Sequence, residues 1–263
     1  MVENVLVSAA GLCLATIIGS LIGFCFKSVS HKWNDIILGF CAGIMLSAAV
    51  LGLILPASQS VSSLGVVIVV AGVITGAVFL TLIDRLTPHL HNITGLESES
   101  HKNNSKINHV LLFVLAIAIH KLPEGMAAGV GFNEENISNA WNVTLAIAIQ
   151  NIPEGMVVIS PLILAGVSKL RTFLIAIAIG ILEILGVFIG YFAGGVSQML
   201  LPFMLSFAGG AMLYVVSDEM IPETHAHGYQ KQATFALLVG FMTIIVFDKI
   251  FTCTKLHHYN LLE

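Results

Sequence analysis

The chain has 263 residues, of which 57% are hydrophobic and only 10% are charged, and its mean hydropathy is +0.94. A soluble domain has about 45–50% apolar and about 25% charged residues, so this composition excludes the soluble class and indicates a membrane protein. The net charge of −4 and the lack of a basic stripe exclude nucleic acid as a partner. The four cysteines form no CxxC pair, so neither a disulfide framework nor a thiolate metal site is predicted.

Eight apolar segments follow one another along the chain, each close to the ~20 residues that a helix needs to cross a bilayer. They are residues 4–26, 35–56, 64–86, 108–131, 141–165, 171–194, 200–221 and 232–253. No positively charged stretch and no cleavage site accompany the first segment, so we expect it to be retained as a helix. The predicted fold class is an all-α integral membrane protein with eight transmembrane helices, in one transmembrane domain over residues 1–263.

The lysines and arginines indicate how the helices are oriented. Most of them lie in the loops after the first, third, fifth and seventh segments, whereas only Lys249 and Lys255 lie on the opposite side. Because cytoplasmic loops carry the excess of lysine and arginine, both termini are predicted to lie outside the cytoplasm. The one long polar loop, at about 87–107, is then cytoplasmic.

Two near-copies of one motif occur thirty positions apart: AIAIHKLPEGM at residues 116–126 and AIAIQNIPEGM at residues 146–156. Each copy places a metal-capable side chain four residues before a glutamate, and this spacing puts both groups on one helical face. The two pairs are His120 with Glu124 and Gln150 with Glu154. Consecutive spans run antiparallel, so the motifs meet from opposite directions, which predicts an inverted-repeat carrier with a site near the midplane.

Ionisable residues are costly in a membrane segment and by default mark a site or a path for a polar substrate. Imidazole, amide oxygen and two carboxylates suit Zn²⁺ first, with Fe²⁺, Mn²⁺, Co²⁺ and Cd²⁺ as further candidates. Pro123 and Pro153 each remove a backbone N–H, so carbonyl groups beside these side chains are freed for hydration or coordination. The repeated motif therefore predicts a transition-metal site inside the bilayer.

Charge counting predicts one metal ion at this site. Glu124 and Glu154, together with Glu183 of the next segment, carry three negative charges, and Lys121 carries one positive charge. One divalent ion balances this sum, whereas a second leaves two positive charges uncompensated in a low-dielectric site. We therefore expect Lys121, beside Asn151, to stand where a second cation would otherwise bind. The alternative is that Lys121 extends away from the site and pairs elsewhere.

A second polar cluster lies at the end of the seventh segment, in VVSDEMIPETHAH. This cluster is either a place where the ion is received on exit or a solvated, acidic helix end. Its members are Asp218, Glu219, Glu223, His225 and His227.

The sequences HKLPEG, QNIPEG and MLYVVSDEMIPETHAHG resemble the ZIP (Zrt-, Irt-like) metal-ion transporter family, near its bacterial ZupT- and GufA-like branch. The resemblance covers most of the chain and implies uptake of zinc and related divalent metals into the cytoplasm. It implies that the first, fourth, fifth and sixth spans move against the other four, and that two copies can pair as a homodimer. The compact length favours a bacterial inner membrane.

The resemblance also assigns roles to residues. It matches His120, Glu124, Gln150 and Glu154 to the primary ligands of the transport site, and Glu183 to an acid of the sixth span nearby. The chain departs from the family at Lys121, where many members have asparagine, and at Asn151, where some have aspartate. Because those positions build a second metal site in such members, the departure again favours one metal.

Other functional classes fit less well. An intramembrane metalloprotease should show HExxH, which is absent from the chain, and no membrane serine-protease motif is apparent, so no enzyme is predicted. A divalent-cation channel stays open, since acidic side chains can line a pore. A carrier primarily for Fe²⁺ or Mn²⁺ also stays open.

Overall fold

The structure is a computed structural model. It describes residues 2–25, 30–62, 65–93, 118, 120–133, 137–164, 166–197 and 200–259. The described residues are almost all helical, with turns at several helix ends, and no strand occurs among them. The helices, in chain order, are α1 (Val2–Gly23), α2 (His31–Gln59), α3 (Val66–Ile93), α4 (120–131), α5 (Ile137–Leu164), α6 (Lys169–Gly194), α7 (Leu201–Thr224) and α8 (Gln230–Tyr259).

Six helices in the described part of the chain are long and apolar enough to cross a membrane, namely α1, α2 and α5 to α8. A shorter apolar stretch, Val66–Leu82, lies in α3. The prediction of a helical membrane protein is therefore confirmed. The α3 helix continues to Ile93, so the polar loop predicted from about residue 87 begins later. Residues 94–117, which hold the rest of that loop and the start of the predicted fourth span, lie outside the described residues.

Local sequence signals explain several helix ends. The α6 helix begins after Ser168, whose hydroxyl accepts the backbone N–H of Arg171, as a serine N-cap does. The α5 helix ends in a Schellman motif at Gly166, which has a φ of 86°. Gly166 N–H donates to Ile163 O, and Val167 N–H donates to Leu162 O, both at 3.0 Å. These bonds satisfy carbonyl groups that the end of α5 would otherwise leave unpaired.

Both α2 and α7 contain a π-helical segment immediately before a proline, at Ala48–Ile54 and Val216–Met220. Proline lacks an N–H and its ring clashes with the carbonyl four residues earlier, so an i→i−5 bond next to it widens the turn. In α2 the carbonyl four residues before Pro56 is that of Gly52, and it accepts Asn139 Nδ2 at 2.9 Å. The π segment of α7 carries Asp218 and Glu219.

The helices pack as two groups. In the first group, α1 packs against α5 and α6, and glycines bring α4 close to α6. In the second group, α2 packs against α8 and α3 packs against α7, while α7 also contacts α2. The boundary between the groups is formed mainly by α2 and α5. The repeated motif lies on α4 and α5, within the first group.

Candidate metal site

The side chain of Lys121 lies at the centre of a buried polar cluster between α4 and α5. Its ammonium donates to Glu124 Oε2 at 2.5 Å, to Asn151 Oδ1 at 2.6 Å and to Glu154 Oε2 at 2.6 Å. Three acceptors use all three hydrogens that a lysine ammonium carries. Lys121 is only 1% exposed, so it is placed inside the site and does not extend to the surface.

The amide of Asn151 is held in one orientation by neighbouring helices. Its Nδ2 donates to Glu183 Oε1 of α6 at 2.7 Å and approaches Leu12 O of α1 at 3.4 Å. Thr16, also on α1, donates from Oγ1 to Glu183 Oε2 at 3.2 Å. Because the amide nitrogen faces Glu183, the amide oxygen faces Lys121. Glu183 therefore joins the cluster through Asn151.

The side chain of Gln150 presents a free acceptor to the interior. Its Nε2 donates to Glu124 Oε1 at 3.0 Å. Its Oε1 is buried and has no hydrogen-bond partner within the described part of the chain. A buried polar atom without a partner destabilises the folded protein by about 1–3 kcal/mol, so its presence in this cluster indicates a functional role. A metal ion could use this carbonyl oxygen as a ligand.

His120 is buried one position before Lys121 and bonds to the other helix group. Its Nε2 lies 2.8 Å from Glu219 Oε1 on the π segment of α7. The Glu219 side chain is 25% exposed, whereas His120 is buried. This hydrogen bond connects α4 in the first group with α7 in the second.

The charges of the cluster do not balance. Glu124, Glu154 and Glu183 are buried; Lys121 is paired directly with Glu124 and Glu154, and Glu183 is linked to it through the Asn151 amide. With the carboxylates ionised, the cluster carries two net negative charges among apolar helices. Burying charge is costly unless it is paired, so the cluster is electrostatically suited to a divalent cation.

Glycines next to the glutamates allow the helices that carry the site to approach closely. A Cβ atom at Gly125 would collide with the Glu183 carbonyl oxygen, and one at Gly155 would lie 2.7 Å from Thr16 O. Both glycines directly follow a site glutamate, so they bring α4 against α6 and α5 against α1 at the level of the cluster. Small residues at these positions therefore serve close helix packing, as in other membrane proteins.

The polar residues at the end of α7 do not form one cluster. Asp218 is exposed, Glu223 is partly buried, and the exposed His225 bonds through Nδ1 to Ile221 O at 2.7 Å. His227 instead bonds through Nδ1 to Asp35 Oδ1 at 3.0 Å. His227, in the turn after α7, therefore contacts α2 and is separated from the other four residues of the predicted cluster.

Asp35 and Thr16 are polar partners that the sequence analysis did not single out. Asp35 is completely buried, and its Oδ2 has no partner among the described residues. His31 lies one helical turn before Asp35 and stacks on the His227 ring, with 4.5 Å between ring centroids. The i,i+4 spacing of His31 and Asp35 at the start of α2 was the available signal. Thr16 is one of many small polar residues in membrane helices and gave no signal.

In the described ranges, no group of three histidine, cysteine, aspartate or glutamate side chains is arranged to hold a metal ion. The Lys121 ammonium lies between Glu124 and Glu154, while His120 is bonded to Glu219. Of the predicted primary ligands, Glu124, Glu154 and Gln150 thus share one network through Lys121, and His120 has a different partner. The assignment of these residues as metal ligands stays a prediction.

The fold and the cluster define a class: a multi-pass helical membrane protein with carboxylates and one ammonium buried between its helices. Comparison with known proteins is consistent with this class. A family model described as ZIP Zinc transporter matches residues 95–248. The chain therefore belongs to the ZIP zinc transporter family.

Individual relatives span nearly the whole chain. Zinc transporter GufA of Myxococcus xanthus is 38% identical over 240 residues, covering 89% of this chain and 93% of that protein. Zinc transporter ZIPB of Bordetella bronchiseptica is 37% identical over 260 residues, covering 93% of this chain and 80% of that protein. Human zinc transporter ZIP11 is 31% identical over 317 residues, covering 89% of this chain and 93% of that protein.

Proposed function

We propose that this protein carries divalent metal ions, with zinc as the main substrate, across a membrane into the cytoplasm. The observation that carries the proposal is the buried cluster around Lys121, with its excess of carboxylate charge, in a member of the ZIP family. The Gln150 Oε1, which has no hydrogen-bond partner among the described residues, adds a neutral oxygen ligand beside Glu124. Mixed nitrogen and oxygen ligands also suit Fe²⁺, Mn²⁺, Co²⁺ and Cd²⁺, and they suit a site that must release its ion.

The ligands that we propose are His120, Glu124, Gln150 and Glu154. Glu124 and Glu154 supply charge, Gln150 supplies an amide oxygen, and His120 supplies an imidazole once it leaves Glu219. The position of the Lys121 ammonium, shared by both glutamates and Asn151, supports a site for a single metal ion. Glu183 acts through Asn151 and orients it.

We expect transport to proceed by alternating access, with the first helix group moving against the second. Support comes from the packing, because the proposed ligands all lie on α4 and α5 of the first group. The His120–Glu219 bond crosses the boundary, so it has to break when the groups move. Glu219 is partly exposed on α7 and is well placed to receive the ion when His120 releases it.

The number of spans, their orientation and the assembly of the protein are also part of the proposal. Eight spans, with both termini outside the cytoplasm, follow from the apolar segments and the positive-inside rule. The two copies of the motif, on α4 and α5, support an inverted repeat, because their glutamates Glu124 and Glu154 meet at the one Lys121 ammonium. Assembly as a homodimer in a bacterial inner membrane completes the proposal.

Zinc influx into proteoliposomes tests this function. We expect saturable influx for the unchanged protein, and for Glu154→Ala we expect influx no faster than into protein-free liposomes. Glu3→Ala is the matched control, because Glu3 is an exposed carboxylate at the start of α1. Competition by Mn²⁺ and Fe²⁺ ranks the metals. Influx that stays proportional to zinc concentration would indicate a channel, and undiminished influx in Glu154→Ala would place the ion path elsewhere.

A further inference from the structure

Lys121 is an unusual partner for two glutamates because it joins the two copies of the repeated motif. Its Nζ lies 2.5 Å from Glu124 Oε2 in the first copy and 2.6 Å from Glu154 Oε2 in the second. All three side chains are almost completely buried. One ammonium therefore holds together the two carboxylates on which a divalent ion would depend.

Without this ammonium, two carboxylates would face each other in a poorly polarisable interior. Two carboxylates close enough to share one ammonium repel each other strongly when that ammonium is absent and water is excluded. Either one carboxylate would then take up a proton or the two side chains would move apart. The Lys121 side chain prevents this, and Asn151 Oδ1 supplies its third acceptor. The Asn151 amide is in turn fixed by Glu183. The network is thus built to keep a cation at this position when no metal is bound.

A metal ion that takes Glu124 and Glu154 as ligands must replace the contacts that these carboxylates make with the Lys121 ammonium. Lys121 cannot leave the site, because its covalent attachment to α4 gives it a high effective concentration there. Metal binding and the lysine contacts therefore compete directly, and the ammonium regains both carboxylates as soon as the ion leaves.

We propose that Lys121 is a tethered counter-cation that occupies the carboxylates of the empty site and so allows the carrier to return without metal. The inference rests on the proposed transport function and extends it from binding to the return half of the cycle. In this role Lys121 is a positioning residue: it weakens metal binding and keeps the empty site competent to move between its two orientations.

The first test measures metal binding. Purified protein in detergent is titrated with Zn²⁺ and, separately, with Cd²⁺, comparing the unchanged chain with Lys121→Gln. Removing the competing ammonium should lower Kd by about 10- to 100-fold or more, because the ion then no longer has to displace the ammonium from Glu124 and Glu154. Lys169→Gln is the matched control, because Lys169 is an exposed lysine at the start of α6. Its Kd should equal that of the unchanged chain.

The second test separates the return of the empty carrier from the movement of the loaded one. In proteoliposomes, exchange of external radioactive zinc for internal zinc requires only the loaded carrier, whereas net uptake also requires the empty carrier to return. For Lys121→Gln we expect exchange to persist while net uptake falls, so that the ratio of exchange to net uptake rises about tenfold or more. The Lys169→Gln protein should keep the ratio of the unchanged chain.

A third measurement checks that the Lys121→Gln protein is folded. Lys121→Gln is purified with Zn²⁺ present, and its thermal midpoint is compared before and after the zinc is removed. A ligand stabilises the folded state in proportion to the logarithm of its concentration over Kd, so zinc should raise the midpoint more in the variant than in the unchanged chain. A folded variant with unchanged Kd, an unchanged flux ratio or an unchanged zinc-dependent shift would overturn the inference. Loss of zinc binding in the variant would also overturn it, because Lys121 would then be needed to build the site.

These measurements distinguish the inference from the function on which it rests. If the unchanged protein takes up no zinc, the proposed function fails whatever Lys121 does. If uptake is saturable and lost in Glu154→Ala, but Lys121→Gln matches the unchanged chain in both Kd and flux ratio, transport stands and the counter-cation role is refuted.

Discussion

Replacing the Lys121 ammonium with a second metal ion tests the charge balance of the site most directly. We predict that Lys121→Asn combined with Asn151→Asp converts a site for one divalent ion into a site for two. In the unchanged chain the three carboxylates and the ammonium of the cluster are balanced by one divalent ion. The double substitution removes a positive charge and adds a negative one, so four carboxylates then balance two divalent ions.

The size of the effect follows from the position of Lys121. Its Nζ is 2.5–2.6 Å from three oxygens, close to the roughly 2.0–2.2 Å at which zinc binds oxygen, so the ammonium occupies the place that a second ion would need. A second divalent ion within about 4 Å of the ammonium would be repelled by about 8 kcal/mol at an effective dielectric constant of about 20, and the carboxylate charge that offsets this repulsion for the first ion is then already neutralised. That equals the whole binding free energy of a micromolar site, about 8 kcal/mol.

The assay is metal stoichiometry, measured by calorimetry and by metal content after equilibrium dialysis against micromolar Zn²⁺ or Cd²⁺. We expect one ion per chain for the unchanged protein and for Asn151→Asp, which keeps the ammonium, and two for the double variant. A single ion in the folded double variant would refute the reasoning, since neither charge nor space would then explain the stoichiometry. Two ions in the unchanged chain would refute it equally.

Two further predictions concern stability. Gly125→Ala should destabilise the folded protein by about 1–3 kcal/mol, because its Cβ would collide with backbone of α6, and thermal unfolding in detergent should show a lower midpoint. Gly11→Ala, where nothing lies within 4 Å of the added atom, is its control, and an equal effect of both would contradict the packing argument. His227→Ala should cost about 1–3 kcal/mol by leaving buried Asp35 without its bond, as measured by the same method. Adding Asp35→Asn should recover part of that loss, and no recovery would mean that the Asp35 charge is not the cause.

Much of the fold could be predicted because long apolar runs leave few alternatives in a bilayer. Segments such as 171–194 and 200–221 correspond to α6 and α7 within a few residues, since lipid admits only helices or closed barrels. The packing partners could not be predicted in this way. Which glycine meets which helix depends on rotation about each axis, and hydropathy carries no information on rotation.

The composition of the site was also predictable, but its connectivity was not. The repeated motif indicated Glu124 and Glu154 because a carboxylate is costly in an apolar segment and by default marks a functional site. The bond from His120 to Glu219 was not expected, since it depends on the π segment of α7, which turns Glu219 toward α4. A π segment shifts the register of side chains by one position, and a prediction that assumes 3.6 residues per turn misplaces every side chain beyond it.

The network divides into bonds that motion preserves and bonds that it must break. Thr16, Asn151 and Glu183 belong to α1, α5 and α6 of one helix group, so their hydrogen bonds can persist while that group moves as a body. The bond from His120 to Glu219 joins the two groups and cannot persist through such a movement. A metal ion that draws His120 into the ligand set would break this bond, while the bond from Asn139 of α5 to Gly52 O of α2 also crosses between the groups. Binding the substrate would then weaken the contact between the groups and favour their movement, which is what a carrier requires and a permanently open pore does not.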